Sequence, residues 1–150
     1  VAPEVAAAYG EIVATPAEAD LAILRLQAPC QPPKGGPFAF ASMFRGGDLD
    51  FKEEQLAPIL AVLAQVPTVV DIYLDRPAVI PEIAAHCAAL LVNFGVSDAA
   101  LLDVLFGRAA PRGMLPYELP SSMDAVRRQK EDVPYDSENP LFSYGSGLRY

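Results

Sequence analysis

Residues 68–94 read TVVDIYLDRPAVIPEIAAHCAALLVNF, and their changes of texture decide the fold. Residues 68–74 are β-branched and apolar, the composition of a strand. Residues 81–85 start on Pro81, which suits the first turn of a helix because its missing N–H would be unpaired there anyway. Residues 87–94 are apolar throughout and of strand length. A strand, a short helix and another strand in that order make a crossover unit, whose strands lie parallel. Asp71 is out of place in a strand buried on both faces. It marks either a sheet edge or a carboxylate with a partner.

The same texture extends to both sides. Residues 21–26, LAILRL, form another short apolar run of strand length. Asp50 is placed to cap a helix, with Glu53 three residues on in a capping-box pattern. The helix running to Gln65 gathers Phe51, Gln55, Leu56, Ile59, Leu60 and Leu63 roughly on one face, and Pro58 must cost it a hydrogen bond or kink it. Ser97 caps a helix over residues 98–106, which Gly107 ends. Nearer the start, residues 1–8 make a helix or a frayed terminus, residues 11–14 a short strand, and Pro16 opens a turn. Residues 112–120 read as an extended segment whose prolines suit a sheet edge, and the last thirty residues as polar and turn-rich. The expected class is α/β: a mostly parallel sheet flanked by short helices, a three-layer α/β sandwich in one domain over residues 1–150.

Composition narrows the function. The chain has 150 residues, 52% hydrophobic and 20% charged, with a net charge of −8. That length can bury a core without disulfides or metals, and the apolar content argues against disorder. The acidic balance disfavours nucleic acid, whose phosphates it repels. No apolar run is long enough to span a membrane, so no membrane partner is expected. One histidine and two well-separated cysteines offer neither a zinc cluster nor a disulfide scaffold. No metal and no cofactor are expected. Because the chain opens on Val1 rather than Met, it is expected to be a processed chain, an excised domain or part of something longer.

Motifs for chemistry are sparse. No glycine-rich phosphate loop follows a strand, and no GxSxG elbow occurs. His86 is a lone imidazole between an Ala-rich helix and an apolar strand, a structural setting. Cys87 reads as core packing, and Cys30 has no evident base to activate it. Carboxylates cluster at Asp48, Asp50, Glu53 and Glu54, and again at Glu131, Asp132, Asp136 and Glu138. Capping explains the first group and a solvated surface the second. Residues 27–47, dense in Pro and Gly, form a loop of about 20 residues, the length at which loops carry function or lack order. Its Phe38, Phe40, Met43 and Phe44 either pin it to its own domain or face a neighbour or ligand.

Three strings carry a resemblance: AALLVNFG at 88–95, LLDVLFG at 101–107 and PRGMLP at 111–116. They resemble the C-terminal α/β sandwich domain of family 3 glycoside hydrolases, where a strand and Gly lead to an ALADVLFG helix and then an NPSGKLP turn. VVDIYLDRP at 69–77 is similar to the preceding strand with its RP turn. LFSYGSGL at 141–148 looks like the closing PFGYGLSY element, and GDLD at 47–50 with Gln55-Leu56 like the family's helix entry. The likeness runs from about residue 20 to 150, in order.

The resemblance implies a retaining exo-β-glycosidase, β-glucosidase-like, acting on terminal β-linked sugars between a (β/α)8 barrel and this domain. The barrel supplies the nucleophilic Asp, so the barrel and a carbohydrate are the expected partners and the chain alone is expected to be inactive. Many relatives are exported, which implies a periplasmic or secreted location. The family's acid/base Glu comes from the loop before the DL helix, yet residues 21–47 contain no Asp or Glu. The usual GQEGG after the strand is replaced here by VSDAA at 96–100. Three explanations stand: Asp48 or Asp50 substitutes as acid/base, the donor lies on the barrel as in the N-acetylglucosaminidase branch, or the site has diverged. A donor outside this chain or a diverged site is favoured over Asp48. Arg45, beside Phe44, is the candidate to bond a sugar hydroxyl or a barrel carboxylate.

Overall fold

The computed structural model describes residues 1–31 and 46–149. The elements in chain order are α1 (Pro3–Ala6), a 3₁₀ turn (Pro16–Glu18), β1 (Ala22–Gln27), α2 (Glu53–Leu63), β2 (Thr68–Tyr73), α3 (Pro81–His86), β3 (Ala89–Asn93), α4 (Asp98–Leu105) and α5 (Met123–Arg128). The three strands form one parallel sheet in the order β1-β2-β3. Each crossover carries a helix, the usual connection between parallel strands.

Register sorts the side chains onto two faces. Leu24 pairs with Val70 and Val70 with Leu90, while Arg25 pairs with Asp71 and Asp71 with Leu91. The first set faces α2 and α3: Val70 and Ile72 are fully buried with Ile59 and Leu63 of α2 and Ile83 of α3. Burying each such aliphatic side chain contributes about 1.5–3 kcal/mol. The second set faces α4, whose Asp98 is bound by Arg25. Short α1 and the turn after it pack on α4 through Tyr9, which donates to Asp103 Oδ1 at 2.8 Å and sits 5.3 Å from the Phe106 ring. The result is helices on both faces of a parallel sheet.

Local signals explain most boundaries. Ser97 Oγ accepts from the Ala100 amide at the start of α4, and Gly107 past its end has φ +72°. Pro58 is tolerated within α2 on its exposed side, where water can take the carbonyl it leaves unpaired.

Four expectations change. Residues 11–14 form no strand: among the described residues they find no pairing partner, and Ile12 is 53% exposed. Asp50 does not cap α2. It lies in extended backbone bridged to Val79, so the helix starts later, with Lys52 as N-cap and Gln55 Oε1 accepting the Lys52 amide. Residues 112–120 make no ladder, only discrete pairs with the tail, such as Leu115 N–H to Ser146 O at 2.9 Å and the Leu119–Phe142 bridge. The polar C-terminal stretch contains α5, capped by Ser122 and burying Ala125.

Candidate functional site

Ligand sites in open parallel sheets gather at the carboxyl ends of the strands. Here that edge is built by the residues after Gln27, Tyr73 and Asn93. On the Arg25 face an open concavity of about 370 Å³ is lined by Arg25, Gln27, Tyr73, Asn93, Gly95 and Asp98. Of its polar side chains, Arg25, Asn93 and Asp98 are engaged in one network with Asp71. Arg25 bonds Asp71 through Nε at 2.8 Å, Asp98 through Nη1 and the Val96 carbonyl through Nη2 at 3.1 Å. Asn93 donates to the other Asp71 oxygen at 2.8 Å and accepts from the Gly95 amide. The Ala2 amide and the Arg25 guanidinium hold the Asp98 carboxyl below its usual range. Asp71 is therefore a partnered carboxylate on the central strand rather than an edge marker. Its network joins all three strands to the first turn of α4.

On the other side of the edge, Gln31 and Gly46 form an antiparallel bridge, with the Gln31 amide donating to Gly46 O at 3.0 Å. Arg76, just past β2, donates to Gly46 O and Gly47 O at 2.8 Å each. The Val79 amide donates to Leu49 O at 2.8 Å. Residues 46–50 are thus flanked by Gln31 on one side and by residues 76–79 on the other. Tyr117 closes over this edge, its hydroxyl 3.4 Å from Leu74 O and its ring edge-on to Phe94. Burial, with Asp75 nearby, raises the Tyr117 phenol.

Asp48 lies in this flanked segment. Lys52 Nζ reaches Asp48 Oδ2 at 2.7 Å and Asp50 Oδ1 at 2.9 Å. The Lys52 hydrogen bond and charge hold the Asp48 carboxyl below its ordinary value. A general acid needs the opposite shift, toward retaining a proton at neutral pH. Arg45 and Phe44 lie outside the described residues, so Asp48 is the sequence-derived site residue that can be placed. Arg76 and Gln31, which both bond Gly46 here, are not singled out by the sequence. Arg76 stood in the sequence only as part of an RP turn, and its partners lie 29 and 30 residues away.

The bland readings of the other groups match their places. His86 Nδ1 is 2.7 Å from Glu82 O on an exposed helix end. Burial raises the half-buried Cys87 thiol. Among the described residues no group of His, Cys, Asp or Glu is arranged to hold a metal ion, and no helix is long and apolar enough to cross a membrane.

Residues 6–150 are matched by the family model described as glycosyl hydrolase family 3 C-terminal domain. The chain belongs to this family. The family 3 domain is 48% identical over 139 residues to beta-glucosidase C of Emericella nidulans, covering 93% of this chain and 22% of that protein. It is 43% identical over 139 residues to a periplasmic beta-glucosidase/beta-xylosidase of Dickeya chrysanthemi, covering 91% of this chain and 21% of that protein. The family 3 domain therefore spans only about a fifth of the length of these relatives. In fold it resembles a β-glucosidase structure from Erythrobacter marinus, with a TM-score of 0.68 at 24% identity over 89% of this chain and 19% of that one.

Proposed function

We propose that this family 3 domain is the accessory part of a retaining, β-glucosidase-like exo-β-glycosidase, completed by a (β/α)8 barrel that carries the nucleophile. By itself it hydrolyses no glycoside. Asp48 carries this reading: the candidate acid within the chain is tied to Lys52 and shifted toward the anion. Retaining hydrolysis needs a carboxylate that attacks and a carboxylic acid that donates. The donor lies outside these residues or the site has diverged. The relatives' names support a terminal β-glucoside or β-xyloside as substrate, and one name supports an exported location.

The test assays this chain and the full-length protein side by side on aryl β-glucoside, β-xyloside and β-N-acetylglucosaminide. Aglycone release by the longer protein alone is the expected result. Release by the 150-residue chain would falsify the two-domain account.

A second reading, a non-catalytic module that docks on a barrel without contributing to turnover, draws on one surface patch. The Tyr135 and Tyr144 rings lie 4.5 Å apart at a tilt of 39°, a Cβ at Gly145 would stand 3.4 Å from Met114 Cε, and all three large side chains are more than half exposed. Loss of barrel solubility without this domain, with unchanged specific activity, is the result that favours it.

A further inference from the structure

Resting on the glycosidase reading, we propose that Arg76 is a positioning residue for substrate binding, acting through residues 46–50 rather than by touching the sugar. Its guanidinium forks onto two successive carbonyls, Gly46 O and Gly47 O, at 2.8 Å each. Successive carbonyls of an extended chain point to opposite sides. Both face Arg76 because Gly47 sits at φ +85°, a conformation open to glycine. A Cβ at Gly47 would lie 2.6 Å from Gln31 Cβ, so the same glycine also admits Gln31. Gly46 O receives a second donor, the Gln31 amide at 3.0 Å.

The clamp thus joins three places on the carboxyl edge of the sheet: the exit of β1 at Gln31, the exit of β2 at Arg76, and the return strap at Gly46 and Gly47. Arg76 and the Val79–Leu49 bond hold the strap at two points, which fixes its course as well as its position. A planar five-donor fork can engage two carbonyls in one geometry, whereas an ammonium keeps the charge without the fork. Among the described residues the hydrophobic cluster gathers the sheet with α2 and α3, and Arg76 is not one of its members. Its effect is geometric: it sets where residues 46–50 stand relative to the edge at which a sugar would lie.

The experiment uses the full-length protein with Arg76→Gln and Arg76→Lys, read by hydrogen exchange at Gln31, thermal midpoint, and KM and kcat on an aryl β-glycoside. Both variants should exchange Gln31 about tenfold faster or more, as loss of charge-assisted bonds implies. Thermal midpoints should stay near wild type, and KM should rise roughly tenfold with kcat little changed. Lysine restoring both exchange and KM would assign the effect to charge and overturn the fork. Faster exchange with unmoved KM, or unmoved exchange, also overturns the proposal. A wild-type protein that hydrolyses no aryl glycoside instead sinks the glycosidase reading beneath it, an outcome separate from failure of the clamp alone.

Discussion

Arg25 and Asp71 face each other across the β1–β2 pairing, and Arg25 Nε donates to Asp71 Oδ2 at 2.8 Å. Asp71 is 1% exposed and the Arg25 side chain 27%. The carboxylate would be intolerable alone on the central strand. With Arg25 on one oxygen and Asn93 on the other, both acceptors are satisfied.

Removing Arg25 strands that charge. Arg25→Met should destabilise the fold by about 3–5 kcal/mol, the cost of breaking a buried pair from one side. The double variant Arg25→Met with Asp71→Leu should lose less than Arg25→Met alone, because no buried charge is left over. Urea denaturation of the three proteins reads the difference. A double variant weaker than the single one would mean that the network contributes more than it costs.

Asp48 has an acid-side signature. Its folded pKa is lowered below 3.8, first by the Lys52 hydrogen bond and then by the Lys52 charge. A lowered folded pKa means that the anion favours the fold. That contribution is complete above 3.8 and is lost as pH falls through the still lower folded value. Chemical-shift titration of the Asp48 carboxyl should place its midpoint below 3.8, and Lys52→Met should move it upward. A midpoint above the ordinary value would return Asp48 to the list of acids.

The same residue can be tested by turnover. If the donor lies elsewhere, Asp48→Asn in the full-length protein should lower kcat by less than about tenfold, against the 10²–10⁴-fold that loss of a general acid costs. A larger drop, relieved for substrates with very acidic leaving groups, would identify Asp48 as the donor.

The tail seam offers a matched pair of glycines. A Cβ on Gly147 would fall 2.4 Å from the Gly113 carbonyl oxygen, a backbone atom with little room to yield. Gly147→Ala should cost about 1–3 kcal/mol. Gly113→Ala meets nothing within 4 Å and should stay within about 0.5 kcal/mol of wild type. Thermal unfolding compares them, and equal losses would show that the tail is not seated on residues 113–115.

Legibility in the sequence followed the range of the interaction. The strands at 22–27, 68–73 and 89–93 were readable because each is a short apolar run between turn residues. Ser97 and Gly107 were readable because a cap acts within one helical turn. Residues 11–14 have strand composition and, among the described residues, no partner to pair with. Asp50 had the right spacing for a cap, but a bridge to Val79 claimed its backbone. Helix α5 escaped notice because MDAVRR buries only Ala125 and leaves no apolar stripe to detect. Of the candidate site, Asp48 was visible as a residue, while the Lys52 bonds that set its charge emerged only with the loop's path.

The sequence by itself determined the α/β alternation, the parallel pairing and the family, since apolar period, turn residues and motif strings are local and survive without coordinates. Only the tertiary structure decided what the charged residues do. Asp71 is neutralised by a residue 46 positions earlier, and Arg76 clamps carbonyls 29 and 30 positions earlier. Those distances close because each crossover helix returns the chain to the same edge of the sheet, and no local pattern in the chain encodes which side chains then meet.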